Sequence, residues 1–159
     1  MNHKIATIKV SKAINECELH QKRIEHALNK LKKFMPLSTE QYTLLNDEHI
    51  EALDQFLFRF AKLQDVMGQR LFTGILELLE EPVKEISFLD RLNRLEQLTI
   101  IDSKEQWLNL RNIRNKLAHE YEDDPKGMCQ ALNHIYDSYP LLINTFLRVK
   151  EYIATHQLS

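Results

Sequence analysis

The chain has 159 residues, of which 43% are hydrophobic and 28% are charged, and its formal net charge is -2. This composition excludes a disordered chain and is typical of one globular domain spanning residues 1–159. Only 3 Gly and 4 Pro are present, which argues against a fold of many strands and turns. No global basic field attracts nucleic acid, so any such site must be a local patch or one assembled across a dimer.

The cysteines and histidines argue against a metal site, and the short apolar runs argue against a membrane span. Cys17 and Cys129 do not form a Cys-x-x-Cys pair, so they are read as reduced thiols rather than zinc ligands. The scattered histidines also lack metal-ligand spacing, and we expect neither a metal nor a cofactor. Neither a secretory signal nor a stretch of 18 apolar residues is visible, so we expect a cytoplasmic protein that does not contact the membrane.

Two long helices are predicted in the first half of the chain. Apolar residues at steps of three and four predict a first helix over residues 10–34. Residues 37–46 are expected to form a loop. A second helix begins after Asn46, a suitable N-cap, and ends before Pro82. It is apolar on more than one face, so we place it near the centre of a bundle.

Three further helices are predicted from their N-terminal signals. Ser87 begins a short helix with a sequence similar to a capping box, and a capping box at Ser103 begins a fourth helix that runs to about Tyr121. Asp124 is the expected N-cap of a last helix over residues 125–155. We expect that helix to be kinked or broken before Pro140. The predicted fold is therefore an all-α, up-and-down bundle of four to five helices.

The fourth helix has three faces when its residues are placed at about 100° per residue. The core face holds Leu110, Ile113 and Leu117, and the ordinary solvent face holds Asn109, Lys116 and Glu120. The third face collects Arg111, Asn112, Arg114, Asn115 and His119 beside the small residue Ala118. A solvent-facing helix stripe usually mixes Glu and Lys, so a stripe of Arg, Asn and His without a carboxylate is unusual.

These residue types suit an anionic ligand. Arg114 presents a planar fork to a phosphate, and His119 is suited to proton transfer near neutral pH. Asn115 lies one helical turn before His119 and is placed to orient its ring. The structural alternative is that these side chains cap helix carbonyls and pair with the acidic residues that follow, in the run 122–124.

The run Arg114-Asn115-Lys116-Leu117-Ala118-His119-Glu120-Tyr121 resembles the ribonuclease motif of the HEPN family, Arg-x-x-x-x-His-x-Tyr with Asn after the Arg. The resemblance implies a HEPN-like helical bundle that acts as a homodimer, with two motifs facing one cleft. It implies metal-independent RNA cleavage by attack of a 2'-hydroxyl on the adjacent phosphorus. His119 would be the general acid or base, Arg114 would hold the phosphate, and Asn115 would orient one of them.

The motif is most similar to that of HepT-type toxins, which are paired with a nucleotidyltransferase antitoxin. In that group the antitoxin transfers AMP to the motif tyrosine, here Tyr121. An AMP group there would place a bulky anion beside Arg114 and His119 and would repel the RNA phosphate. The resemblance therefore implies RNA, with tRNA as one candidate, and a nucleotidyltransferase as partners.

Three further residues are candidates to support the motif. Arg111 shares the polar face, and Arg59 and Asp65 of the second helix are candidates to support the motif. Phe72 and Trp107 are expected to pack rather than to stack on bases. A first alternative is a non-catalytic partner or substrate-binding subunit of a nucleotidyltransferase. A second is a fortuitous motif whose residues are only structural.

Overall fold

The computed structural model describes residues 3–116 and 123–158. All regular elements in these ranges are helical, which confirms the predicted all-α bundle. The elements are α1 (His3–Leu31), α2 (Thr39–Thr43), α3 (Asp47–Val66), a π-helical segment (Met67–Leu71), α4 (Phe72–Leu78), α5 (Phe88–Gln97), α6 (Lys104–Lys116) and α7 (Pro125–Thr155). Across the described ranges, none of the helices has the length and apolarity needed to cross a membrane.

The first half of the chain forms a long antiparallel hairpin. One arm is α1, and the other is the continuous rod formed by α3, the π-helical segment and α4. Two ion pairs show that the arms run in opposite directions. Lys30, near the end of α1, is 3.6 Å from Glu48 at the start of α3, and Glu16, in the middle of α1, is 2.8 Å from Arg70 in the π-helical segment. At the far end, Gly74 of α4 lies against Val10 of α1.

The second half packs beside this hairpin and carries the predicted motif. α6 and α7 are antiparallel neighbours, and α5 bridges α4 and α6. Arg148 near the end of α7 donates to the carbonyl oxygen of Thr99, just before α6, at 3.2 Å. Side chains from α1, the rod, α6 and α7 meet in one core. Its largest fully buried members are Trp107, Phe56, Phe60, Phe72 and Phe146.

Local capping signals locate most helix starts correctly. The side chains of Asn46, Ser87 and Asp124 accept hydrogen bonds from backbone N–H groups of α3, α5 and α7, as predicted. The start of α1 was predicted too late, because the buried Ala6 extends the apolar stripe toward the N-terminus and the helix already includes His3. The five predicted helices are all present, with the second divided by the π-helical segment. The predicted end of the fourth helix, near Tyr121, lies outside the described residues.

Two predictions about interruptions are wrong. Residues 37–46 are not all loop, because Ser38 and Gln41 form a reciprocal capping box that begins the short helix α2. The predicted break at Pro140 does not occur, because α7 is continuous, whereas the alternative of a kink there stays a prediction. An internal proline costs about 3 kcal/mol, but Pro140 lies on the exposed side, and burial of Tyr139 and Leu142 on the core side offsets that cost.

Close approach at Gly74 gives a test of the hairpin packing. A Cβ atom at Gly74 would lie 2.7 Å from the Cγ2 atom of Val10, which is buried and stiff. We expect Gly74→Ala to destabilise the fold by about 1–3 kcal/mol through overpacking, against a helix-propensity gain of about 1 kcal/mol. The free energy of unfolding in urea measures this.

Val10→Ala supplies the control for this substitution. In that background the clash is removed, so Gly74→Ala should become neutral or stabilising relative to Val10→Ala alone. Equal costs of Gly74→Ala in the two backgrounds would contradict the proposed contact.

Candidate functional site

The helix α6 is held to the core by few side chains and leaves its polar face exposed. Its buried residues are Trp107, which is 2% exposed, and Leu110. The ring of Trp107 packs against Phe72 with centroids 4.7 Å apart, which confirms the prediction that both rings pack in the core. Arg111 and Asn115 are exposed, as the helical wheel predicts.

Arg114 is fixed in direction by an ion pair with α3. Its Nη2 atom donates to Oδ2 of Asp65 at 2.9 Å, and the two side chains are 34% and 31% exposed. This bond uses one of the five N–H donors of the guanidinium group. Asp65 was one of the predicted supporting residues, and the structure places it beside Arg114.

A second guanidinium group lies one turn earlier on the same helix. The Cζ atom of Arg111 stands 4.7 Å from the ring centroid of Phe88, at the start of α5. Stacking on an aromatic face orients a planar guanidinium while leaving its N–H edge to other partners. Arg111 and Arg114 therefore present two oriented cationic groups from one face of α6.

Both arginines border a groove of about 280 Å³ between α6 and the rod formed by α3 and the π-helical segment. We call this space the α6 groove. It is lined by Gln64, Asp65, Gly68, Gln69, Phe88, Trp107, Arg111 and Arg114. The N–H of Phe72 bonds to the carbonyl of Met67, the five-residue spacing of a π-helix. Such segments are frequent at functional sites.

The floor of the α6 groove contains unsatisfied polar atoms. Gln64 is 2% exposed, and within the described part of the chain neither its Nε2 nor its Oε1 atom has a hydrogen-bond partner. The Nε1 atom of Trp107 is also buried and has no hydrogen-bond partner among the described residues. Each such group costs free energy in the folded state, so their presence together requires an explanation.

Arg59, the other predicted supporting residue, contacts a different part of the molecule. Its Nη1 atom lies 3.1 Å from Nδ1 of His20 on α1. Since arginine only donates, Nδ1 accepts and the proton of His20 is on Nε2, which lies 3.3 Å from Glu16. Arg59 thus orders a buried histidine, and it is not among the residues that line the α6 groove.

Burial and nearby charges shift the pKa values of His20 and Glu16. Burial is the main cause that lowers the pKa of His20, and the charge of Arg59 acts in the same direction. The hydrogen bond from Arg70 is the main cause that lowers the pKa of Glu16. His20 is therefore held as the neutral imidazole at neutral pH.

Several site predictions remain outside the structural description. His119 and Tyr121 lie outside the described residues, so the structure places Arg111, Asn112, Arg114 and Asn115 of the predicted polar face. Over residues 3–116 and 123–158, no group of three or more His, Cys, Asp or Glu side chains is arranged to hold a metal ion.

Apart from Asp65, the sequence interpretation missed the lining of the groove on the α3 side. Gln64 occupies a core-facing position, four residues after Phe60 and three before Met67. A polar residue at such a position is a recognisable signal. Phe88 carried no comparable signal, because its role depends on a contact with α6.

Comparison with known proteins adds no family assignment. The chain matches no family model, no curated protein and no solved structure. The resemblance to HEPN ribonucleases therefore depends on the motif residues of the sequence.

The unsatisfied amide of Gln64 gives a stability prediction. Gln64→Met keeps the side-chain volume and removes both polar atoms, so we expect the free energy of unfolding to rise by about 1–3 kcal/mol. Urea unfolding measures the change. Gln106→Met, an exposed position on α6, is the control and should change stability by less than about 0.5 kcal/mol. A loss of stability in Gln64→Met would mean that the amide is already satisfied.

His20 gives a prediction for pH. Its folded pKa lies below the ordinary value of 6.5, so the unfolded chain binds the proton first as the pH falls. The stabilisation from neutral His20 is present above about pH 6.5 and is lost below it. Urea unfolding at several pH values should show this decrease in wild type and a smaller one in His20→Gln.

The control for this slope is His134→Gln, at an exposed position on α7. The lowered pKa of Glu16 acts in a more acidic range, below about 4.5, and does not mask the effect of His20. An unchanged slope in His20→Gln would contradict the assignment.

Proposed function

We propose that this protein is a metal-independent endoribonuclease of the HEPN class and the toxin of a toxin–antitoxin pair. The observation that carries the proposal is the arrangement of Arg114 and Arg111. Asp65 directs one guanidinium and Phe88 stacks on the other, so both are oriented at one groove beside the motif. Two oriented guanidinium groups with exposed N–H edges suit a phosphodiester.

The chemistry follows from the motif residues. The 2'-hydroxyl oxygen of RNA attacks the adjacent phosphorus, and the new O–P bond forms as the bond to the 5'-oxygen breaks. One proton leaves the 2'-hydroxyl and one is delivered to the departing 5'-oxygen, so the products are a cyclic phosphate and a 5'-hydroxyl. His119 serves as general acid or base in these transfers. Arg114 offsets the charge that develops on the phosphoryl oxygens.

A homodimer supplies the second half of the active unit in this proposal. The net charge of -2 gives one chain no long-range attraction for RNA. Two copies of the α6 face across one cleft would bring twice as many guanidinium groups together, which raises the local potential although the net charge of the pair stays negative.

The proposed antitoxin partner is a nucleotidyltransferase that modifies Tyr121. The tyrosine oxygen attacks the α-phosphorus of ATP and loses its proton. The new O–P bond forms as the bond from the α-phosphorus to the bridging oxygen breaks, and pyrophosphate leaves. The attached AMP adds negative charge near Arg114 and His119, so it would compete with RNA for the same donors.

Purified protein with a defined RNA tests the catalytic role of the motif. We expect His119→Ala to reduce the cleavage rate by about 10²–10⁴-fold, because the proton-transfer group is lost. Arg114→Ala should cause a comparable loss, yet lower stability by at most about 1 kcal/mol, because its ion pair is partly exposed. Cleavage is measured on gels and stability in urea.

His134→Ala, at an exposed histidine on α7, is the matched control and should retain wild-type cleavage. Intact mass establishes that Tyr121 is unmodified before the assay. If unmodified wild type does not cleave RNA but binds a nucleotidyltransferase, the non-catalytic partner function replaces the nuclease. If Arg114→Ala cleaves normally and unfolds more easily, the arginine is structural.

A further inference from the structure

The α6 groove has a polar floor that the proposed cleavage does not use. Phosphate binding needs the guanidinium groups at the mouth, whereas Gln64 and Trp107 lie buried beneath them. The amide of Gln64 offers two N–H donors and a carbonyl oxygen with two acceptor sites, and the indole offers one N–H donor. Within the described residues these atoms have no partner. These atoms are closed to water in this structure, so a ligand group satisfies them once the side chain of Gln64 turns toward the groove.

The walls of the groove limit the shape of that ligand group. Phe88 and the Arg111 guanidinium stacked on it form a planar, partly aromatic wall. On the opposite side, Gly68 lets the indole of Trp107 lie close to the rod, since a Cβ there would be 3.2 Å from its Cζ2 atom. The volume of about 280 Å³ is small beside the ~300–1,000 Å³ of sites for drug-sized ligands. One planar polar ring is a suitable occupant.

We propose that the α6 groove binds one nucleobase of the RNA, next to the phosphate held by Arg114. This inference rests on the proposed function. An amide side chain pairs with a base edge that presents a donor beside an acceptor, and arginine and aromatic faces stack on bases. Gln64 and Trp107 form hydrogen bonds with the edge of the base, while Arg111 and Phe88 enclose the base on one side. The groove is thus a base-selective subsite.

The chain contains a single tryptophan, so its fluorescence reports directly on the groove. Wild type is titrated with the four ribonucleoside 3'-monophosphates and with short 2'-O-methyl oligonucleotides, which cannot be cleaved by 2'-hydroxyl attack. We expect Trp107 fluorescence to change on binding and affinity to differ by about tenfold between the best and worst base. We expect the oligonucleotides to bind more tightly than the monophosphates, because they add phosphate contacts.

Gln64→Met is the test of base reading. It should bind the four bases with nearly equal affinity, since the bidentate contact is lost while the cationic mouth remains. Gln106→Met on the exposed side of α6 should keep the wild-type preference. Gln64→Leu is a second variant, and circular dichroism establishes that each protein is folded.

The outcomes separate this inference from the proposed function. RNA cleavage by wild type without base preference, or with a preference that Gln64→Met retains, overturns the base subsite and leaves the nuclease intact. Base-selective oligonucleotide binding without cleavage supports the subsite and overturns the nuclease. Monophosphates that bind as tightly as oligonucleotides would identify a free-nucleotide site and overturn the assignment to RNA.

Discussion

The contact between Trp107 and the π-helical segment determines where the polar face of α6 lies. Apart from Leu110, Trp107 is the buried side chain of this helix, and it lies against Gly68 and Phe72. Residues one and two turns later, Arg111 and Arg114, project from the same side of the helix. Because the indole anchors that side to the rod, the two guanidinium groups border the α6 groove.

The sequence predicts those parts of the fold whose signals are local. The N-caps at Asn46, Ser87 and Asp124 need only the residues of their own first turn, and the apolar stripes need only helical periodicity. Similarly, the wheel of α6 assigns Arg111 and Arg114 to one face because both belong to one regular element. A local signal was also present at Ser38, where the capping box with Gln41 begins α2.

The remaining features depend on contacts between elements, which periodicity does not encode. The π-helical segment changes the backbone hydrogen-bond spacing, and its residues Met67–Leu71 have no composition that distinguishes them from an α-helix. Pairing of Phe88 with Arg111 depends on the position of α5 relative to α6. α7 is continuous through Pro140 because residues before and after the proline, Tyr139 and Leu142, are buried in the core. This tertiary effect outweighs the tendency of proline to end a helix.

The ion pair between Arg114 and Asp65 is suited to orientation because it is weak. Each side chain is about one third exposed, and ion pairs in such positions contribute only about 0–1 kcal/mol. A buried pair would resist the approach of a phosphate, since separating it would leave a charge desolvated. Here the carboxylate fixes the direction of the guanidinium through one N–H and leaves its other donors to a ligand. A partly solvated pair therefore directs Arg114 toward the groove and remains compatible with phosphate binding.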